Sequence, residues 1–109
     1  MVCGISYLTP RVLNILRRHG VRATFFILGN SLSRYTDLGH TQWNNNYSKN
    51  RKTLKKIVEA GHDIGSHSFD HPALTDLSMV DIIYQLNTTY NLLSEFSGSR
   101  TIYFRAPMG

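Results

Sequence analysis

The sequence predicts an α/β fold in which helices alternate with parallel strands. Three apolar segments typical of strands each follow a segment with helical spacing, in the order helix, strand, helix, strand, helix, strand. Such alternation is typical of parallel strands joined by crossover helices. The 109 residues supply three of these units, which make an open sheet or a piece of a barrel, because a closed α/β barrel takes about 250 residues.

Composition excludes several classes of protein. Hydrophobic residues make up 41% of the chain and charged residues 17%, which favours a folded domain over disorder. No apolar stretch approaches the ~20 residues of a transmembrane helix, and residues 1–8 lack the positively charged start of a signal peptide. Cys3 is the only cysteine, which rules out a disulfide framework and a cysteine-rich zinc site.

The net charge of +5 comes partly from a basic segment over residues 49–56. The same segment has helical spacing, so a solvated helix face explains its cations, with contact to a polyanion as the alternative. No aromatic residues are interleaved with these cations, as a surface that stacks nucleic-acid bases would require. We therefore expect no nucleic-acid partner.

The first helix and the first strand are predicted in the N-terminal quarter of the chain. Thr9 as N-cap and Pro10 at the first helical position indicate where the helix begins, and Gly20 indicates where it ends. Residues 23–28 are almost entirely apolar, which is typical of a strand buried on both faces. The polar residues 29–48 predict a long surface loop.

A second helix is predicted over residues 50–60, with Gly61 as its stop, and a short strand follows over residues 62–66. Ser78 is predicted to cap a third helix. Apolar residues of this helix recur at spacings of four, three, four and three, which indicates one stripe packed on the core. The stripe comprises Met79, Ile83, Leu86, Tyr90 and Leu93. Residues 101–104 are predicted to form the last strand.

Two groups of polar residues follow predicted strands, where parallel α/β folds place their active-site groups. His67 and His71 follow the second strand, and Arg105 follows the third. Imidazole is a good zinc ligand, and a catalytic zinc needs three protein ligands, so the pair leaves one ligand to be supplied, most suitably by a carboxylate. The alternative for the pair is a loop held by hydrogen bonds.

The other candidates carry weaker signals. Arg105 could clamp a carboxylate with two parallel hydrogen bonds, or it could be a surface arginine where a strand ends. Ser68 could hydrogen-bond the loop backbone, as short hydroxyl side chains often do. The remaining histidines lack a paired spacing, so we interpret them as structural or exposed. They are His19, His40 and His62.

Three blocks of the sequence resemble the polysaccharide deacetylases, a carbohydrate esterase family that includes chitin, peptidoglycan and nodulation deacetylases. Residues 61–72, Gly-His-Asp-Ile-Gly-Ser-His-Ser-Phe-Asp-His-Pro, resemble the metal-binding motif of that family. Residues 9–26 resemble its first helix and second strand, and residues 103–107, Tyr-Phe-Arg-Ala-Pro, resemble its third motif. The blocks occur in the family's order and spacing.

The resemblance implies a hydrolase that removes N-acetyl groups from a β-linked N-acetylglucosamine polysaccharide such as chitin, acting on a carbon–nitrogen non-peptide bond. It implies Zn²⁺, or another divalent transition metal, held by His67 and His71. Arg105 would orient the catalytic base, and the backbone N–H of Met108, which follows Pro107, would stabilise the oxyanion. Ser68 and Pro107 would support the motif. A chitin-like polysaccharide as partner, a monomer and a secreted or cell-wall location are also implied.

The chain departs from the family pattern at both ends. The first motif, a strand ending in Thr-Phe-Asp-Asp-Gly-Pro, supplies the metal-binding and base aspartates and should precede Thr9, where residues 1–8 stand instead. Neither Asp63 nor Asp70 fits the missing positions. The fourth and fifth motifs, which include the general-acid histidine, should follow Gly109.

These departures predict a single partial domain over residues 1–109, a partial distorted (β/α) barrel incomplete at both ends and inactive as this fragment. A non-catalytic remnant, or a module that binds carbohydrate or polyanions, is the alternative. Unpaired strands at the edges of such a piece, above all residues 25–27 if their partner is absent, would promote aggregation. We therefore expect the isolated chain to be poorly soluble or loosely packed.

Overall fold

The computed structural model describes residues 2–3, 5, 8–98 and 102–106. Four short parallel strands form one sheet, in the order β1-β2-β3-β4. Each pair of consecutive strands is joined by a helix, which confirms the α/β fold class. The strands are β1 (Val2–Cys3), β2 (Thr24–Ile27), β3 (Asp63–Ser66) and β4 (Tyr103–Phe104), and the helices are α1 (Thr9–Arg18), α2 (Tyr47–Glu59) and α3 (Met79–Ser97).

The first strand, β1, is not predicted by the sequence analysis. It pairs with β2, with Val2 opposite Phe25 and Cys3 opposite Phe26. A strand therefore does precede the first helix, although residues 1–8 contain no aspartate. Because β2 has a neighbour on each side, the condition under which residues 25–27 would be an unpaired edge is not met. Two residues are too few to show a periodicity, so this strand depends on pairing with β2.

The core lies on one face of β2 and β3. Phe25 and Ile27 are fully buried there, whereas Phe26 points to the other face of the sheet and is only partly buried. Residues 23–28 are predicted to form a strand buried on both faces, but the structure buries only the face of β2 that carries Phe25 and Ile27. Helices α2 and α3 cover this core, whose buried members are Phe25, Ile27, Leu32, Leu54, Ile57, Ile64 and Leu93.

The boundaries of α1 and α2 differ slightly from the predicted ones. Leu8, not Thr9, occupies the N-cap position of α1, and no side chain caps the helix there. Gly20 follows the helix with φ of +63°, a conformation that glycine adopts without steric cost, so its predicted role is confirmed. Helix α2 begins at Tyr47, which shortens the predicted loop, and 3-10 turns lie at Gly29–Ser31 and Leu74–Asp76.

Helix α3 has the predicted cap but not the predicted buried face. The Ser78 hydroxyl accepts a hydrogen bond from the Asp81 N–H at 3.2 Å, which confirms the cap. In the apolar stripe, however, Met79 is 71% exposed, and Leu93 alone is fully buried. The buried face instead comprises Gln85, Thr89, Leu93 and Ser97. Among the described residues, no helix is both long and apolar enough to cross a membrane.

Candidate functional site

Three loop segments meet at the carboxyl ends of β2, β3 and β4, which we call the carboxyl edge. The first residue after β3, His67, donates its N–H to the carbonyl of Ile27 at 3.0 Å. The first residue after β4, Arg105, donates its N–H to the carbonyl of Ser66 at 2.9 Å. The residues predicted to lie at strand ends are therefore brought to one edge of the sheet.

His67 is buried, with 7% of its surface exposed, and a hydrogen bond to one ring nitrogen fixes the orientation of its ring. Its Nδ1 lies 2.8 Å from the carbonyl oxygen of Arg105. Because a carbonyl only accepts, the neutral imidazole carries its proton on Nδ1 and has its lone pair on Nε2. Metal-ligating histidines are commonly oriented by a second hydrogen bond of this kind.

His71 is exposed, and its ring contacts the ring of His67. The residues from His67 to His71 do not form a helix. The ring centroids are 4.8 Å apart and the ring planes make an angle of 65°. The chain turns back because Ser68 and His71 both adopt left-handed conformations, with φ of +66° and +65°. In residues other than glycine, such conformations destabilise the folded protein by about 1–3 kcal/mol. They are found most often at functional sites. The turn brings together two imidazoles that are four residues apart.

Gln85 of α3 holds the loop that carries the two histidines. Its side-chain oxygen accepts the Phe69 N–H at 2.8 Å, and its amide nitrogen donates to the Asp70 carboxylate at 2.8 Å. Gln85 is 5% exposed, and its bond to the Phe69 N–H is buried, whereas Asp70 is exposed. The role of Gln85 is not predicted from the sequence, because a glutamine within a helix is usually at the surface and its spacing gives no other signal.

Ser68 differs from its predicted role. Its side chain is fully buried, but its hydroxyl has no hydrogen-bond partner among the described residues. Its backbone carbonyl instead accepts the Gly29 N–H at 2.9 Å, which joins the loops after β2 and β3. The expectation that its hydroxyl bonds the loop backbone is therefore wrong, because the left-handed turn at Ser68 buries the hydroxyl away from partners.

The histidine and the aspartate at the start of β3 belong to the opposite edge of the sheet. Asp63 pairs with Arg22 at 2.7 Å. His62 accepts the Ala23 N–H on Nδ1 at 3.1 Å, and its burial, together with the nearby Arg22, lowers the pKa of its imidazole. His62 is therefore structural, as predicted. Asp63 lies away from the carboxyl edge, and the Asp70 carboxylate accepts a hydrogen bond from Gln85. Neither completes a group of three metal ligands with the histidine pair among the described residues.

The histidine pair supplies part of the ligand set that a catalytic zinc requires. Across residues 8–98 and 102–106 and the short N-terminal stretches described, no three His, Cys, Asp or Glu side chains are grouped to hold a metal ion. His67 and His71 fit two of the three ligand positions, because imidazole is a common zinc ligand and the two rings lie close together. The predicted oxyanion donor Met108 and the supporting Pro107 lie outside the described residues.

Comparisons with known proteins agree in one family. The family model for polysaccharide deacetylase matches residues 3–109. The peptidoglycan-N-acetylglucosamine deacetylase PgdA of Listeria monocytogenes is 36% identical over 95% of this chain and 19% of its own length. A chitin deacetylase of Colletotrichum lindemuthianum is 35% identical over 91% of this chain and 36% of its own length. The chain thus spans about a fifth to a third of these relatives.

A solved structure has the same architecture. The Xyl-CE4 domain of a multidomain xylanase from the hindgut metagenome of Trinervitermes trinervoides superposes with a TM-score of 0.78 at 27% identity. The match covers 97% of this chain and 45% of that one. The partial barrel predicted from the sequence is therefore confirmed as a fold class.

Proposed function

Because this chain belongs to the polysaccharide deacetylase family, we propose that it is part of a metal-dependent hydrolase that removes N-acetyl groups from a β-linked N-acetylglucosamine polysaccharide. The observation that carries the proposal is the convergence of His67 and His71 at the carboxyl edge. Relatives named as peptidoglycan and chitin deacetylases support either polymer as substrate and a secreted or cell-wall location.

In this proposal His67 and His71 hold Zn²⁺ or another divalent transition metal. His67 binds through Nε2, since its Nδ1–H is engaged by the Arg105 carbonyl. His71 reaches the same point from an exposed turn, which leaves access for a polymer. When bound, such a metal polarises the acetamide carbonyl and lowers the pKa of water.

Arg105 has two roles in the proposal. Its backbone carbonyl fixes the His67 ring. Its guanidinium would orient the carboxylate that serves as general base through two parallel hydrogen bonds. The backbone N–H of Met108 would stabilise the oxyanion that forms when water attacks the acetyl carbon.

Among the described residues, no carboxylate completes a group of three metal ligands with His67 and His71, and the aspartates that the family's first motif supplies have no counterpart in residues 1–8. We therefore propose that the 109-residue chain alone does not release acetate at a measurable rate, since loss of a general base typically costs about 10²–10⁴-fold. The activity, its polymer and its pattern of deacetylation would belong to a protein that also supplies those groups.

Zinc titration of the chain tests the ligand assignment. We expect His67→Ala and His71→Ala each to weaken zinc binding by about tenfold or more, because each removes one imidazole donor. The matched control is His19→Ala, which removes an exposed histidine at the end of α1, outside the carboxyl edge, and should bind zinc as the wild type does. Unchanged affinity in the variant carrying both His67→Ala and His71→Ala would refute the assignment.

A further inference from the structure

Residues 32–46, here called the platform loop, connect the Gly29–Ser31 turn with α2 and are held together by hydrogen bonds within the loop. Asp37 accepts hydrogen bonds from the Thr41 N–H at 2.9 Å and the Gln42 N–H at 3.0 Å. A further bond from the Thr41 hydroxyl is the main reason why the pKa of Asp37 lies below its usual value. Tyr35 and Trp43 face each other in an antiparallel bridge. The loop is thus ordered by its own hydrogen bonds.

Three aromatic side chains of this loop form a stack. The Tyr35 ring lies between His40 and Trp43, with a centroid separation of 4.8 Å on each side and interplanar angles of 15° and 19°. His40 reaches its place through a left-handed turn with φ of +58°. Trp43 is one end of the stack and remains 67% exposed, and His40 is the other end. The loop therefore holds an indole in a fixed orientation while leaving most of its surface to solvent.

The platform loop is attached to the carboxyl edge. The Asn44 side chain donates to the carbonyls of Asn30 at 3.0 Å and Ser33 at 2.8 Å. The backbone N–H of Asn30 in turn donates to the carbonyl of Phe69 at 2.9 Å, in the segment that carries His67 and His71. One chain of hydrogen bonds therefore connects the Trp43 loop with the histidine turn.

We propose that Trp43, backed by Tyr35 and His40, is a stacking site for one sugar ring of the polysaccharide, outside the histidine pair; this assignment rests on the proposed function. A pyranose ring has faces of C–H groups and a rim of hydroxyls. An exposed, flat aromatic ring beside uncharged hydrogen-bonding side chains complements both. Thr41 and Gln42, both exposed, lie next to Trp43. The Thr41 hydroxyl donates to Asp37 and can still accept from a sugar hydroxyl. The Gln42 oxygen accepts from Thr36, which leaves the Gln42 amide nitrogen as a donor.

The surroundings favour a neutral sugar over a nucleic-acid base. Base stacking in nucleic-acid sites is accompanied by cations that track the phosphates. Of the arginines near the platform loop, Arg51 is paired with Glu95 and donates to the Leu32 carbonyl, and Arg34 lies over the Tyr47 ring. The stack also offers one exposed indole, which suits one ring rather than a series of bases.

The only tryptophan of the chain is Trp43, so its fluorescence reports on the site directly. The chain is titrated with soluble N-acetylglucosamine oligomers in the presence of a chelator, which removes any contribution from metal. We expect a saturable change in emission, and we expect Trp43→Ala to weaken oligomer binding by about tenfold in calorimetry, since one stacking contact is lost. Trp43→Phe, which keeps a ring, should retain part of the affinity.

The matched control is Tyr84→Ala, which removes a half-exposed aromatic residue of α3 and should bind oligomers like the wild type. Circular dichroism of each variant verifies that it is folded. Wild-type affinity of folded Trp43→Ala would overturn the proposal, as would an equal response of Trp43 to single-stranded DNA. The oligomer titration is made with a chelator and the zinc titration without oligomers, so failure of the metal assignment and failure of the sugar site can be told apart.

Discussion

At the scale of single residues, the geometry of the histidine pair depends on groups that never contact a substrate. The carbonyl of Arg105 selects the tautomer of His67. The side chain of Gln85 satisfies the Phe69 N–H within the turn that brings His71 back. A buried N–H left without an acceptor costs free energy, so Gln85 is a positioning residue for the site.

Gln85→Leu keeps most of the buried volume and removes the three hydrogen bonds that Gln85 makes to Phe69 and Asp70 of the loop. We expect the free energy of unfolding to fall by about 1–3 kcal/mol, because the Phe69 N–H is left unsatisfied. Zinc affinity should fall by about tenfold or more, since the His71 turn loses its support. Urea denaturation and zinc titration measure the two effects. Asn87→Leu, at an exposed position of the same helix, is the control, and an equal response of both variants would contradict the role.

At the scale of elements, α3 shows why apolar spacing gave the wrong buried face. The helix packs against the Gly29–Ser31 turn and β3. Close contact there requires small or hydrogen-bonding side chains, so Gln85 and Thr89 are buried in preference to Met79 and Ile83. Periodicity identifies where apolar side chains cluster, but it does not show which side of the helix meets a polar loop.

Gly29 tests this packing. A Cβ at this position would lie 2.5 Å from the Thr89 hydroxyl oxygen and 2.8 Å from the Phe69 ring. We therefore expect Gly29→Ala to lower the free energy of unfolding by about 1–3 kcal/mol through overpacking. Urea denaturation of Gly29→Ala with and without Thr89→Ala measures the coupling. A smaller cost in the Thr89→Ala background is expected, and equal costs in the two backgrounds would contradict a direct clash.

At the scale of the whole molecule, much apolar surface faces solvent. The outer stripe of α3 and the strand β4 contribute large side chains that are about half exposed or more, including Met79, Ile83, Tyr103 and Phe104. Exposed apolar side chains that cluster on one surface favour association. A strand with an exposed apolar face adds to that tendency.

We expect the isolated chain to self-associate and to melt over a broad range of temperature, and light scattering and calorimetry measure this. The double substitution Met79→Lys and Ile83→Lys should reduce association, because it places two charges on the exposed stripe. Lys55→Arg, on the solvent face of α2, is the charge-neutral control. A sharp, cooperative transition of a wild-type monomer would contradict the expectation.

The sequence by itself determined the α/β alternation, the strand ends at which His67, His71 and Arg105 lie, and the family. It did so because burial imposes local periodicity, and because the motif residues are contiguous in the chain. Tertiary structure decided the rest: the pairing of β1, the tautomer of His67, the buried polar face of α3 and the stack behind Trp43. Each of these depends on contacts between residues far apart in sequence, or on a turn whose left-handed residues give no compositional signal.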